Sequence, residues 1–257
     1  MKKTKLLIIA LLTLFTTSCS FIENILDKEL TNQEKTEQVI EHNQNSVVKL
    51  IVQNDDHLNT LSAVIVHQTD NTYFALTNYL PLKDGRFIFG VELSDLTTYR
   101  ASLHSYDPHS NLALVSFTTE TSLNVMTLRD TPLTIDELVV SLGHHHNLRN
   151  YNTKDEFHIT SLFSPTSNNL HYFGEGYLTH DISINDGEIG GGLFDLNGDL
   201  VGINIHYLEY EKTSQAVPLN IIKKVLPHLI NQTPIEKEAL LYEEAISVLT
   251  ILNESSS

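Results

Sequence analysis

Short apolar runs separated by turn residues dominate the chain between residues 46 and 205. The runs are rich in Val, Ile, Leu and aromatic residues, which favour β-strands. Asp84-Gly85 and Asn197-Gly198 are dipeptides typical of the tight turns in β-hairpins. Many short strands with regular turn signals indicate an all-β barrel or sandwich. The predicted strands lie in residues 46–52, 62–66, 73–77, 87–93, 112–117, 137–142 and 200–205.

Helical spacing of apolar residues is clear only towards the end of the chain. Residues 218–229 predict one short helix, and Thr233, Pro234 and Glu236 form the start signal of another. The second is predicted as an amphipathic C-terminal helix over residues 233–252. We expect it to pack on its own domain, and the alternative is a helix that binds a partner. Its apolar stripe includes Leu240, Tyr242, Ile246, Leu249 and Ile251.

The amino end has the pattern of an export signal, predicted over residues 1–18. Three lysines in residues 1–5 precede an apolar run over residues 6–15, which is far shorter than the roughly 20 residues of a bilayer-spanning helix. Cys19 follows small residues and resembles the cleavage box of bacterial lipoproteins. The resemblance implies lipidation of Cys19 and an extracytoplasmic, lipid-anchored protein on a bacterial membrane, at the cell surface or in the periplasm. Ordinary secretion with an incidental cysteine is the alternative.

Residues 19–45 are mostly polar and predict a tether between the membrane and the folded domain, with one possible short helix at residues 33–42. The chain of 257 residues carries a net charge of −16, which becomes −19 without the three signal lysines. Such acidity argues against binding to nucleic acid or to anionic lipid headgroups. Cys19 is the only cysteine, which excludes an intrachain disulfide. No cofactor is predicted.

Several segments of the chain resemble trypsin-fold proteases of the bacterial HtrA/Deg type. Residues 62–66 are similar to a strand of the first barrel in that family, and residues 75–80 to the strand end that carries its histidine. Residues 107–114 resemble the stretch with its aspartate, and residues 181–193 its nucleophile loop. The resemblance covers residues 46–230. It implies two six-stranded antiparallel β-barrels, residues 46–130 and 131–230, followed by a short C-terminal helix extension.

Carried over position by position, the family's histidine falls on Leu80, its aspartate on Asn111 and its serine on Ile189. Acyl transfer needs a nucleophilic oxygen, a base to take its proton and a carboxylate to orient that base. Isoleucine has no nucleophile, leucine accepts no proton, and asparagine carries no charge. We therefore predict a catalytically inactive protease homologue that binds a protein or peptide partner, for example by β-addition at a strand edge.

Two expectations concern the loop Gly187-Glu188-Ile189-Gly190-Gly191. By the resemblance, the backbone amides of Gly187 and Ile189 correspond to an oxyanion hole that could still hold a carbonyl or carboxylate oxygen. The alternative is that the glycines only permit a tight turn, and Glu188 would repel an anion. The resemblance also places Ile189 opposite Leu80, where we expect the two side chains to form an apolar plug in the former active site.

Two other chemistries were weighed against this interpretation. A hydrolase could use a rearranged site in which a histidine serves Ser183 or Ser214. His144 and His146 have the strand spacing of two metal ligands, but no further ligand follows from spacing, so a solvated loop is favoured and no metal is predicted.

Overall fold

The computed structural model describes residues 30–54, 57–83, 87–144, 157–164, 176–210 and 212–235. Within these ranges there are two α-helices, α1 (Asn32–Asn43) and α2 (Leu219–Asn231), and two short 3-10 turns, Leu80–Leu82 and Asp186–Glu188. The strands are β1 (Val47–Asn54), β2 (His57–Thr69), β3 (Thr72–Asn78), β4 (Phe87–Glu92), β5 (Thr98–Tyr99), β6 (Ala101–Asp107), β7 (Leu112–Thr118), β8 (Leu138–Leu142), β9 (Phe157–Ser164), β10 (Tyr177–His180), β11 (Gly192–Phe194), β12 (Leu200–Leu208) and β13 (Thr213–Pro218).

The first half of the described chain forms one antiparallel sheet in the order β5-β4-β1-β2-β3-β7-β6. It has seven strands where six were predicted, because the two-residue strand β5 pairs with the end of β4 through Val91 and Tyr99. The second half forms a closed barrel of six strands in the order β10-β13-β12-β11-β8-β9. The all-β prediction is confirmed, and every predicted strand run overlaps an observed strand.

Most strands of the first sheet are buried on both faces. Val64 and Ile65 are neighbours on β2 and both are fully buried, yet they belong to different apolar clusters because successive strand side chains point to opposite faces. One cluster lies inside the first sheet and another inside the barrel. The third fills the space between the two sheets and includes residues of both helices. Strands buried on two faces produce continuous apolar runs, which explains the sequence pattern.

Helix α1 occupies the segment that was predicted as a polar tether. A capping box between Thr31 and Glu34 starts the helix. Val39 is buried in the cluster between the sheets, and the buried Asn43 side chain donates to the carbonyl of Gly198 over 2.8 Å. The possible short helix predicted at residues 33–42 is confirmed as α1. The helix is docked on the domain by a few inward-facing side chains, whereas a free tether was expected.

Several predictions fall outside the described residues. These are the signal peptide, Cys19, the turn at Asp84-Gly85, the imidazole of His146 and residues 236–252 of the predicted C-terminal helix. The predicted helix at residues 218–229 is confirmed as α2, which ends at Asn231 with Gln232 in the left-handed conformation. Over the described ranges, no helix is long and apolar enough to cross a membrane.

Candidate functional site

The glycine-rich loop between β10 and β11 is closed by its own side chains. Glu188 is buried, and its carboxylate accepts hydrogen bonds from the backbone amide of Asn185 (2.6 Å) and from the Asn185 side chain (3.0 Å). The Glu188 amide donates to the Asn185 carbonyl at 2.8 Å. This reciprocal pairing is a capping box around the 3-10 turn Asp186–Glu188. The carboxylate that was expected to repel ligands is therefore engaged within the loop.

Ile189 turns both of its backbone groups towards the protein. Its amide donates to the carbonyl of Asp186 over 3.3 Å, and its carbonyl accepts from the amide of Ser62 over 2.8 Å. The carbonyl of Gly187 accepts from the Ser62 hydroxyl, also over 2.8 Å. An oxyanion hole needs amides that point at the ligand. The observed loop differs from the predicted oxyanion hole of Gly187 and Ile189, because the Ile189 amide already donates to a carbonyl within the loop.

Two glycines allow the loop to pack this closely. Gly190 has a φ of +82°, and a Cβ atom there would lie 2.2 Å from both the Ser62 carbonyl oxygen and the Thr77 hydroxyl. A Cβ atom at Gly191 would lie 2.4 Å from the carbonyl oxygen of Leu142. Both distances are far below any contact that real side chains make. These glycines therefore permit the close approach of neighbouring chain segments, in addition to the tight turn that was the alternative given for the loop.

Asn111, which the resemblance matches to the family's aspartate, has a structural role. It adopts a left-handed φ of 58°, which asparagine tolerates better than most residues. Its side-chain oxygen accepts from the amide of Leu80 over 2.8 Å, and its carbonyl accepts from the amide of Tyr79 over 3.1 Å. Asn111 thus fastens the end of β3 to the start of β7.

The predicted apolar plug is not formed by two buried side chains. Leu80 is 41% exposed, whereas Ile189 is partly buried and packs against the core of the first sheet. Tyr79, next to Leu80, stacks on Tyr106 with ring centroids 4.6 Å apart. The surface around Leu80 is therefore apolar and partly open to solvent.

Ser62 on β2 links the two sheets at the loop, a role that the sequence analysis missed. Its hydroxyl donates to the Gly187 carbonyl and accepts from the His144 amide over 2.7 Å, while its own carbonyl accepts from the Thr77 hydroxyl over 2.7 Å. Ser62 and Thr77 are fully buried. Polar residues at buried positions of apolar strands are the signal that could have identified them.

A second group of buried polar side chains lies behind the loop, inside the barrel. Asn204 donates to the Ser141 hydroxyl (2.7 Å) and accepts from Nε2 of His180 (3.2 Å). Its backbone carbonyl accepts from the Gly190 amide, and its amide donates to the Gly191 carbonyl. Burial lowers the pKa of His180 from 6.5 to about 4, against the opposing effect of its hydrogen bond to Asn204. His180 is therefore a neutral, structural histidine.

Of the two serines weighed for a rearranged hydrolase, Ser183 is partly buried in the loop after β10, and Ser214 lies opposite a histidine across two strands. His180 on β10 lies opposite Ser214 on β13. Both residues are fully buried, however, and the Ser214 hydroxyl donates to the carbonyl of Ile182 over 2.5 Å. A nucleophile must reach a substrate carbonyl. This pair has no exposed face to do so.

His144 is buried at the junction of the sheets, which corrects the prediction of a solvated loop at this residue. Its ring bonds to the carbonyl of Val47 over 3.1 Å, and burial lowers its pKa despite that bond. Its predicted metal partner, His146, is outside the described residues. Within the described ranges, no three His, Cys, Asp or Glu side chains are placed to share a metal ion.

The two antiparallel sheets, which meet at a glycine-rich loop, are the architecture expected from the resemblance to trypsin-fold proteases. A family model described as a trypsin-like peptidase domain matches residues 51–203. The chain belongs to the trypsin-like peptidase family, and its relatives are of the HtrA/Deg type that the sequence predicted.

Similar proteins include periplasmic endoproteases. The chain is 25% identical over 185 residues to the periplasmic serine endoprotease DegP of Escherichia coli K12, covering 70% of this chain and 38% of DegP. It is 28% identical over 184 residues to the periplasmic pH-dependent serine endoprotease DegQ of the same strain, covering 70% and 39%. It is 30% identical over 175 residues to the serine protease HTRA4 of Mus musculus, covering 64% and 35%.

A solved structure of the HtrA-type protease AlgW with a tripeptide has the same fold. The TM-score is 0.66 at 22% identity, over 76% of this chain and 63% of that one. The trypsin-like all-β fold is thereby confirmed. The chain spans about two fifths of the length of the DegP and DegQ relatives that it matches. The periplasmic relatives support an extracytoplasmic location.

Proposed function

We propose that this chain is a non-catalytic homologue of HtrA/Deg-type proteases, exported, lipid-anchored through Cys19, and specialised for binding a protein or peptide partner. One observation carries the proposal. Asn111 and Ile189, two of the three residues that the resemblance places at the triad positions, hold the surrounding backbone together by hydrogen bonds, and Leu80 at the third position has no group that accepts a proton. The site has exchanged reactive groups for structural ones.

The arrangement opposes acyl transfer at each step. Ile189 supplies no oxygen for attack, and Leu80 accepts no proton. Residual rate in a protease without its triad comes from the oxyanion hole and from substrate binding. Here the Ile189 amide donates to Asp186, so that contribution is weakened as well. The hydrolase alternative has less support, because Ser214 and His180 are fully buried.

A protease assay with restored triads tests the proposal. The purified protein lacking its signal is incubated with casein and with a fluorophosphonate probe, beside the triple variant Leu80→His, Asn111→Asp, Ile189→Ser and the single variant Ile189→Ser. We expect no turnover and no labelling of the natural chain. Robust casein cleavage by the natural chain that persists in Ile189→Ala would overturn the proposal and support a rearranged site.

Partner binding is supported by the relatives and by the exposed apolar surface. The structure of AlgW contains a tripeptide, so the fold accepts a peptide in that protein. In this chain, Leu80 leaves apolar area open beside the proposed former active site. A pull-down from detergent-solubilised membranes, followed by a binding measurement with the purified candidate, tests this part. A partner that binds the natural chain and a Leu80→Asp variant equally well would contradict the use of this surface.

Anchoring through Cys19 has its own test. Cells expressing the natural chain or Cys19→Ser are labelled with a radioactive fatty acid and then fractionated. We expect label and membrane association only with the cysteine, because a lipid anchor inserts its acyl chains into the bilayer. Equal membrane association of the two forms, without label, would argue for ordinary secretion or another means of attachment.

A further inference from the structure

A groove of about 630 Å³ lies between strand β6 and the carboxyl end of helix α2. We call it the β6–α2 groove. One wall is formed by residues 103–107 of β6, and the other by His228 and the chain from Gln232 to Ile235. It is distinct from the former triad positions, none of which lines it. Ile235, the last described residue before the carboxyl end, is part of the groove lining.

Hydrogen bonds fix the end of α2 to β6. The Ser105 hydroxyl donates to the carbonyl of Leu229 over 2.6 Å, and the Gln232 side chain donates to the carbonyl of His104 over 2.8 Å. His104 Nε2 lies 3.1 Å from the carbonyl of Ile230. Gln232 has a φ of 53°, which ends the helix and turns the chain. The direction of the chain at residue 233 is thus set by contacts with β6.

The groove presents apolar area to solvent. Leu103 is 40% exposed and Tyr106 is 51% exposed, and both line the wall formed by β6. A bulge between Leu103 and Ser105 breaks the strict alternation of the strand. Ile235 packs against the apolar cluster between the sheets, so the chain is in contact with the domain at this residue. Covering exposed apolar area of this kind with another apolar surface removes it from water and lowers the free energy of the folded chain.

The next part of this chain has the chemistry to cover it. Residues 236–252 include the apolar residues Leu240, Ile246 and Leu249, and they carry four glutamates and one lysine. The groove lining holds three imidazoles, those of His104, His109 and His228. Its only carboxylate, that of Asp107, accepts from the amide of Ser110 over 2.9 Å. The lining therefore offers nitrogen-bearing rings, and little repulsion, to an acidic and apolar segment.

We propose that residues 236–252 of this chain dock in the β6–α2 groove, with their apolar residues against Leu103 and Tyr106 and their glutamates towards the imidazoles. Covalent attachment at the rim of the groove gives the segment a high effective concentration there, which an external peptide does not have. The docked segment covers the groove and holds the end of α2 on β6. This proposal is independent of catalysis.

Disulfide trapping in the full mature chain tests the proposal. Cys19 is the only native cysteine, so Cys19→Ser provides a background without thiols. In that background Leu103→Cys is combined with Leu240→Cys or with Ile246→Cys and oxidised under mild conditions. Leu58, which is 60% exposed and does not line the groove, gives the matched control Leu58→Cys with the same two partners.

We expect an intramolecular disulfide in at least one Leu103→Cys pair, at no less than fivefold the yield of the Leu58→Cys control. Equal yields in both sets would overturn the proposal. A disulfide-linked dimer in place of the intramolecular product would also overturn it, and would assign the groove to a second copy. As a second measurement, truncation after Ile235 should accelerate amide exchange in β6 at least threefold, and unchanged exchange would contradict docking.

Discussion

His180 makes the stability of the barrel sensitive to acid. The side chain is fully buried, and burial lowers its pKa to about 4 from 6.5. Below pH 6.5 the unfolded chain binds a proton at this imidazole and the folded chain does not, so protonation favours unfolding until the pH falls through 4. The stabilisation is therefore complete above pH 6.5 and is lost as the pH falls. Between pH 7.5 and 4.5 the loss of unfolding free energy from this residue amounts to about 2–3 kcal/mol.

Urea unfolding of the natural chain and of His180→Gln measures this effect. The amide of glutamine can donate to Asn204 in place of Nε2 but does not titrate. We expect the free energy of unfolding of the natural chain to fall about 2–3 kcal/mol further than that of the variant over this pH range, since carboxylates and the other histidines contribute equally to both. Parallel curves for the natural chain and His180→Gln would refute the reasoning.

Two further predictions concern the loop. Ser62→Ala leaves the Gly187 carbonyl and the His144 amide without their hydroxyl partner, so urea unfolding should show a loss of about 1–3 kcal/mol in the free energy of unfolding. The control Ser102→Ala, at an exposed position of β6, should change that free energy by less than about 0.5 kcal/mol. A similar loss in both variants would contradict the linking role of Ser62. Gly190→Ala and Gly198→Ala carry the same backbone strain, because φ is +82° and +88°, but only the first places a Cβ atom 2.2 Å from two neighbours. Thermal unfolding should show a loss of about 1–2 kcal/mol for Gly198→Ala and a clearly larger one for Gly190→Ala, and equal losses would show that close packing at Gly190 is unimportant.

The strands that were predictable are those with unbroken apolar runs. Residues 200–205 predicted β12 because both faces of that strand are buried, and Asn197-Gly198 predicted its hairpin because Gly198 adopts a positive φ. Strand β6 was missed, since its face is partly exposed and the bulge between Leu103 and Ser105 interrupts alternation. Local pattern identifies a strand only when burial is uniform along it.

The contacts of the candidate site could not be predicted from the sequence. The order of segments predicted that Leu80, Asn111 and Ile189 surround one site, and the structure joins two of them through the hydrogen bond from the Leu80 amide to the Asn111 side chain. The roles of Ser62, His144 and His180 depend on partners about 24 to 125 residues away in sequence. Such pairings follow from the packing of two sheets and leave no local signature, so His144 was read as a solvated residue.

If Cys19 carries a lipid, the docking of α1 determines how far the domain can stand from the membrane. A free segment over residues 19–45 would reach about 90 Å, whereas the twelve residues from Cys19 to the helix cap at Thr31 reach at most about 40 Å. If Cys19 carries the lipid, the helix keeps the amino-terminal side of the domain within one domain diameter of the bilayer. Partners of this protein would then have to be membrane-bound themselves, or diffuse into that narrow layer.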